Sequence, residues 1–156
     1  MSPKLSAGDI CNRIVSFAER DLSVLRAAQL MRDHHVGCLV VVDESSGARL
    51  VAGMLTDRDI VTAVIAKEVD PAKLRVEDVM SADAVTARED DSLTDLLRTM
   101  RRRGLRRLPV VDARGALLGL VTLDDLLALL AGQLADMAQA IQTEQQLELE
   151  ARPSGR

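Results

Sequence analysis

Residues 53–59 read GMLTDRD, and residues 119–125 repeat the same pattern as GLVTLDD. Each segment follows a strand-like aliphatic run that ends in aspartate, LVVVD at 39–43 and LPVVD at 108–112. A helical pattern of apolar residues precedes each run. A repeat of this length is one supersecondary unit used twice, and two such units usually pack against each other. Any function carried by the unit is therefore expected in two copies.

Composition limits the classes of protein to which the chain can belong. The chain has 156 residues, of which 47% are hydrophobic, and this is enough to form the core of one compact domain or of two small halves that share a core. Phe17 is the only aromatic residue, which argues against a single-stranded nucleic-acid platform built on stacked rings. The net charge of −4 gives no general attraction to phosphate backbones.

Cysteine usage and hydropathy predict the cellular setting. Cys11 and Cys38 are too few and too far apart for a disulfide framework or a cysteine zinc site, which favours a reducing compartment. The chain shows no charged-then-apolar leader, and no apolar run approaches the roughly 20 residues of a membrane span. We therefore expect a soluble, cytoplasmic protein.

Hydrophobic periodicity predicts the order strand–helix–strand–strand–helix in both units, which is an α/β (α+β) fold. In the first unit the elements are a strand over 10–16, a helix capped by Asp21 or Ser23 and running to about His35, strands over 39–42 and 50–55, and a helix opened by Thr56. In the second they are Val85-Thr86, repeating Val15-Ser16, a helix over 92–103, strands over 108–111 and 117–121, and a helix over 123–131.

The predicted organisation places the repeats at residues 8–70 and 76–133. A turn is expected at 44–47, where serine and glycine cluster. A C-terminal helix is expected at 134–150, with flexible ends at 1–7 and 151–156.

Thr-x-x-Asp opens the last helix of each unit, with Thr56 and Asp59 in the first and Thr122 and Asp125 in the second. One interpretation is structural, because this is the capping-box pattern in which hydroxyl and carboxylate satisfy backbone N–H groups. The other is functional: a hydroxyl, free N–H groups and a helix dipole favour phosphate, and the carboxylate can accept hydrogen bonds from both hydroxyls of a ribose. Occurrence at the same point of both units favours the functional interpretation.

The whole ordered pattern resembles tandem CBS domains, a pair often called a Bateman module. The residues that carry the resemblance are 35–43 (HVGCLVVVD) with 53–59, and 104–112 (GLRRLPVVD) with 119–125. The resemblance covers about residues 8–133, nearly all of the predicted ordered chain, and we therefore expect a stand-alone bacterial two-CBS protein without a catalytic, channel or transporter domain. It implies two βαββα repeats packed as one pseudo-two-fold module, and modules that pair into a flat disc.

The resemblance also implies an adenosyl ligand, such as AMP, ADP, ATP or S-adenosylmethionine, in clefts between the repeats, and no obligatory cofactor. By position, Asp59 and Asp125 match the ribose-binding acid, and Thr56 and Thr122 match the hydroxyl that faces phosphate or ribose. The segment that borders the adenine is matched by Val15, Ser16, Val85 and Thr86. The start of the strand that contacts the base and the sugar is matched by Leu39, Val40, Leu108, Pro109 and Val110.

The two copies differ in charge. Arg107 matches the place where some nucleotide-binding CBS repeats put a phosphate-contacting base, whereas its counterpart Cys38 has no charge to offer. The second copy is therefore predicted to suit phosphate better than the first. Arg58 could supply a positive charge to the first site, where the second copy has Asp124.

Other chemistries find less support in the sequence. His34 and His35 with Cys38 invite a metal interpretation, but no further histidine completes a tetrahedral set, so no metal site is predicted. The arginine-rich segment at 101–107 is interpreted as a solvated helix end, and nucleic acid is not predicted as a partner. No nucleophile has a plausible base beside it, so no enzyme activity is predicted.

The tail carries a narrow apolar seam that either docks on its own domain or forms a dimer contact. Its residues are Leu130, Leu134, Met137 and Ile141, and further candidates for a homodimer contact are Ile60, Val64 and Leu126. The sequence therefore predicts a homodimeric regulatory module that senses an adenosyl ligand through a change in module orientation. The alternative is a structural dimerisation module without a ligand, and the regulated protein is not identified by the sequence.

Overall fold

The computed structural model describes residues 5–45 and 47–151, which form seven strands in two sheets. The first sheet has the order β1 (Phe17–Glu19), β2 (Cys38–Ser45), β3 (Ala48–Thr56) and β4 (Ser81–Ala82). The second has the order β5 (Ala87–Arg88), β6 (Arg107–Val111) and β7 (Leu117–Thr122). The helices are α1 (Ala7–Ile10), α2 (Val24–His34), α3 (Asp57–Ile60), α4 (Val76–Val79), α5 (Leu93–Arg103) and α6 (Leu123–Ala151), with a π-helical turn, Val61–Ile65, after α3.

The predicted α/β fold is confirmed, and local sequence accounts for its long helices. The side chain of Ser23 accepts a hydrogen bond from the N–H of Arg26 at the start of α2, and Ser92 accepts one from Asp95 at the start of α5. Both helices end at a residue in the left-handed conformation, His35 at φ 55° and Gly104 at φ 64°. Their apolar faces cover one sheet each, and no helix of the described residues combines the length and apolar content needed to cross a membrane.

Each repeat is completed by the segment that precedes the other repeat. Ala7 of α1 is fully buried in the core of the second repeat, and Asn12 and Leu120 exchange two backbone hydrogen bonds of 2.9 Å. Val76 of α4 is fully buried in the core of the first repeat, and β4 pairs with β3. This exchange binds the two repeats into one module, and the linear boundaries predicted from the sequence do not show it.

The strand predicted over 10–16 is wrong, because α1 occupies its first residue and β1 begins only at Phe17. Asp9 favours the helix, since its carboxylate accepts hydrogen bonds from the N–H and hydroxyl of Ser6 at 3.0 and 2.7 Å. The second repeat follows the same rule, with β5 at Ala87–Arg88 rather than at 85–86.

The strand register also corrects the predicted equivalence between residues 15–16 of the first repeat and 85–86 of the second by one residue. Ala18 pairs with Val41, and Ala87 pairs with Val110, which is the counterpart of Val41. Ser16 therefore corresponds to Val85 rather than to Thr86.

The predicted turn and the flexible ends are only partly within the described residues. Strand β2 runs through Ser45, and Gly47 turns the chain at φ 78°, while residue 46 of that prediction lies outside the described residues. Residues 1–4 and 152–156 of the predicted flexible ends also lie outside them.

Helix α6 differs most from its prediction. The expected helices over 123–131 and 134–150 are one continuous helix that passes through Gly132. Every residue from Ala131 to Ala151 is exposed, so the tail does not dock on the described part of its own domain.

Three of the predicted dimer contacts are core residues. Val64 and Leu126 are fully buried and Ile60 is 8% exposed, so these side chains cannot reach a second copy. Their sequence neighbours Val61 and Leu127 are exposed instead, both to 56%.

Candidate functional site

A cavity of about 290 Å³ opens between the two repeats. Its size is near the lower end of the roughly 300–1,000 Å³ typical of small-molecule sites. The first repeat contributes Met54, Thr56 and Asp59, the connection to the second repeat contributes 81–85, and the entry to β6 contributes Leu105, Arg106 and Arg107. The cleft is therefore built from both repeats, and four of the predicted site residues line it: Thr56, Asp59, Val85 and Arg107.

Thr56 and Asp59 form a capping box that leaves one carboxylate oxygen unused. Oδ2 of Asp59 accepts hydrogen bonds from the N–H and hydroxyl of Thr56 at 2.9 and 2.8 Å, and Oγ1 of Thr56 accepts one from the N–H of Asp59 at 3.2 Å. No hydrogen bond from the described residues reaches Oδ1 of Asp59. The structural and the functional interpretation of the motif are therefore compatible at this position.

Arg107 lies in the same cleft as Asp59 of the first repeat, whereas the sequence analysis grouped it with the motif of the second copy. Its backbone is in register with Thr122, but its side chain lines the cavity with Thr56 and Asp59. The reason is the exchanged connection, since β4 pairs with β3 and so brings the entry of the second repeat against the end of the first. Arg107 is exposed and has no ion-pair partner among the described residues, whereas Arg106 lies 3.3 Å from Asp124.

The sequence model of the CBS domain matches residues 7–66 and 76–132. This chain belongs to the CBS-domain family. A CBS domain-containing protein of Bacillus subtilis, YhcV, is 36% identical over 121 residues, which are 78% of this chain and 82% of that protein. A protein of Methanopyrus kandleri is 32% identical over 123 residues, and the matched part spans 79% of this chain but only 61% of that protein.

Solved structures show the same architecture with ligands bound. A CBS domain pair in complex with 5′-methylthioadenosine and S-adenosyl-L-methionine has a TM-score of 0.72 at 27% identity, covering 84% of this chain and 99% of its own. The cytosolic domain of the Mg²⁺ channel MgtE in complex with ATP has a TM-score of 0.68 at 27% identity, covering 80% of this chain and 48% of its own.

Several predicted site residues lie outside the cleft between the CBS repeats. Leu39, Val40, Leu108 and Val110 are fully buried in the cores, and Pro109 is buried beside them. Arg58 and Thr86 are exposed and do not line the cavity, and neither do Thr122 and Asp125. In the second CBS motif, Oδ2 of Asp125 accepts hydrogen bonds from the N–H and hydroxyl of Thr122 at 3.0 and 2.7 Å, so this capping box repeats the first one in an exposed position.

The cleft also contains residues that the sequence reasoning missed. Met54 lies two residues before Thr56 on β3, and alternation along a strand places both on one face. Residues 81–84 and Leu105-Arg106 directly precede the predicted Val85 and Arg107. Extending each predicted segment toward its N-terminus would have found them.

Cys38, the counterpart of Arg107, gives the first CBS repeat a neutral strand entry. Burial raises the pKa of its thiol, and the positive charge of Arg107 opposes that rise without reversing it. The thiol therefore stays protonated near neutral pH and offers Arg107 no anionic partner.

Val15 and Ser16 line a different cavity, of about 390 Å³, beside β1 and α2. There Oγ of Ser16 lies 2.9 Å from Nδ1 of His34, a nucleophile–base pair that the sequence reasoning did not identify. Within the described residues no third group hydrogen-bonds His34, so nothing orients the ring as a catalytic base. No group of three or more His, Cys, Asp or Glu in the described ranges could hold a metal ion.

Glycine is required at position 53, where β4 pairs closely with β3. A Cβ atom at this position would lie 2.5 Å from the backbone oxygen of Ser81 and 3.1 Å from Sδ of Met80. We expect Gly53→Ala to lower the free energy of unfolding by about 1–3 kcal/mol, because β4 must move away. Urea unfolding measures the loss.

Gly132→Ala is the matched control for that substitution. Its added Cβ meets nothing within 4 Å, and alanine is the better helix former by about 1 kcal/mol. We therefore expect it to stabilise α6. A Gly53→Ala chain as stable as the parent would contradict the close approach of Ser81 to Gly53 where β4 pairs with β3.

Proposed function

We propose that this CBS module senses an adenosine-containing ligand in the cleft between its repeats. The proposal rests on three groups around one cavity: the hydroxyl of Thr56, the carboxylate of Asp59 and the guanidinium of Arg107. Among the described residues, Oδ1 of Asp59 and the guanidinium of Arg107 have no partner. The similar structures that hold S-adenosyl-L-methionine, methylthioadenosine and ATP support this class of ligand.

The chemistry of the cleft suits the three parts of a nucleotide. Oδ1 of Asp59 accepts hydrogen bonds from the ribose hydroxyls, and Oδ2 stays with the helix cap. Met54, Val85 and Leu105 offer apolar contact to the base. Arg107 balances the phosphate charge from the opposite repeat.

The same geometry supports a regulatory role rather than a catalytic one. Because the walls of the cleft come from both repeats, a ligand that bridges them favours one relative orientation of the repeats. The resulting shift cannot exceed the difference in ligand affinity between the two orientations. A partner that contacts both repeats would detect this change.

A structural module without a ligand is the second candidate. It is favoured by the capping boxes of Ser6 with Asp9 and of Ser92 with Asp95, where the carboxylate also accepts hydrogen bonds from the N–H and hydroxyl of the serine at a helix start outside the cleft. A hydroxyl residue followed three positions later by aspartate is thus sufficient for a helix start without any ligand.

Titration calorimetry with AMP, ADP, ATP, S-adenosylmethionine and adenosine separates the two candidates. We expect binding of at least one phosphate-bearing ligand. We expect Arg107→Ala to weaken this binding by roughly tenfold, because the substitution removes a charge-assisted hydrogen bond to phosphate. Adenosine should lose much less affinity. Arg58→Ala is the control, since Arg58 is exposed and does not line the cleft.

Two results would count against the proposal in different ways. If no ligand of the panel binds, the sensor function is wrong and the structural module remains. If Arg107→Ala weakens adenosine and ATP equally, Arg107 acts through folding, and its phosphate role is wrong.

A further inference from the structure

We infer that α6 pairs in antiparallel orientation with α6 of a second copy of this chain. The contact is the apolar seam, defined as Leu127, Leu130, Leu134, Met137 and Ile141. This inference does not depend on the ligand, because no seam residue lines the cleft between the repeats.

Helix α6 extends far beyond the module that anchors it. Leu126 is fully buried, but every residue from Ala131 to Ala151 is exposed, a length of about 30 Å of helix. A helical segment without tertiary contacts is only marginally stable in water, and Gly132 lowers its intrinsic helix propensity further. A partner along this segment would supply the missing contacts.

The seam has the spacing of a two-helix contact. Its residues alternate at three and four positions, which is the heptad pattern. Leu134, Met137 and Ile141 are 67%, 64% and 57% exposed, and the half-buried Leu130 joins them to the face that enters the core. Small residues flank the seam and allow a close approach of two backbones: Ala131, Ala138 and Ala140.

Charge decides between the two orientations of such a pair. From Leu123 to Ala151 the helix carries acidic residues and no basic one. The next two seam positions after Ile141 are Glu144 and Glu148. A parallel pair would set each of these carboxylates against its own copy, and like charges repel.

An antiparallel pair instead places the acidic C-terminal end of one α6 near the arginine residues beside the start of the other. Leu134 then faces Met137 of the second copy, and Glu144 comes over the start of its α6. The first turn of α6 carries Asp124 and Asp125, but an arginine run lies beside it, since Arg106 is 3.3 Å from Asp124. The other members of this run are exposed and have no ion-pair partner among the described residues: Arg101, Arg102 and Arg103.

Light scattering on the full chain at micromolar concentration tests the pairing. We expect a dimer for the parent, and we expect the combination of Leu134→Glu and Met137→Glu to weaken it by at least about a hundredfold, because each dimer would bury four carboxylates. Ala135→Glu with Gln139→Glu adds the same charge on the opposite face of α6 and should keep the dimer.

A monomeric parent, or a seam variant that dimerises as well as the parent, would overturn the inference. Both variants change exposed positions outside the two cores, and an unchanged thermal unfolding temperature of the module would verify this.

Cysteine cross-linking tests the orientation. In a mixture of Leu127→Cys and Glu144→Cys chains, antiparallel pairing places the two new thiols opposite each other, so we expect a mixed disulfide. Predominant cross-linking of Glu144→Cys chains with one another would show a parallel pair and overturn the orientation. Cys11 and Cys38 are buried, and the parent chain treated in the same way reports any background disulfide.

Discussion

Leu126→Ala is expected to lower the free energy of unfolding by about 2–5 kcal/mol. Leu126 is fully buried at the start of α6, in a core that it shares with Leu108 and Val121. Truncation removes apolar contacts and leaves a cavity that the surrounding strands fill only partly. Urea unfolding at a fixed, low protein concentration measures the loss, since dimer formation would add to the apparent stability.

Leu127→Ala is the matched control, one residue further along the same helix. Leu127 is 56% exposed in the single chain, so at a protein concentration at which the chain is monomeric we expect its truncation to change the free energy of unfolding by only about 0.5 kcal/mol. Similar losses for the two variants would contradict the burial of Leu126. In that case Leu126 would again be a candidate for the dimer contact that its sequence pattern predicted.

Asp59→Ala is expected to weaken binding of the adenosyl ligand by about 1.5–3 kcal/mol, or roughly 10–150-fold. In the proposed site Oδ1 of Asp59 is the acceptor for the ribose hydroxyls, and water would replace it poorly in a partly enclosed cleft. Titration calorimetry with the best ligand of the panel measures the change.

Asp125→Ala separates ligand binding from helix capping. It removes the same pair of hydrogen bonds from the threonine of the capping box, but Asp125 does not line the cleft. Both variants should lose about 1 kcal/mol of stability through the cap, and only Asp59→Ala should lose affinity. Equal losses of affinity would indicate a site at Thr122 and Asp125, and no loss in either variant would refute the ribose role.

Much of the fold was predictable because its signals are local. Ser23 and Ser92 cap their helices through hydrogen bonds that span three residues, and the aliphatic run at 39–42 forms a buried strand. The capping box of Thr56 and Asp59 is likewise formed within one turn of chain. Such interactions are readable from neighbouring residues alone.

The composition of the cleft was less predictable because its residues are distant in sequence. Thr56 and Asp59 were identified from their motif, but the motif does not say which arginine faces them. Arg107 was assigned to the motif of its own repeat, and the pairing of β4 with β3 brings it to the other. The motif of a single repeat does not predict contacts between the two repeats.

The sequence by itself determined the duplication, the order of elements within each CBS repeat and the paired helix caps, since each depends on periodicity or on contacts within a few residues. Only the tertiary structure decided that α1 and α4 complete the opposite cores, that Leu126 is buried while Leu127 is exposed, and that α6 continues past the module. These outcomes depend on apolar surface buried between segments far apart in the chain, and burial of that kind is a property of packing rather than of local pattern.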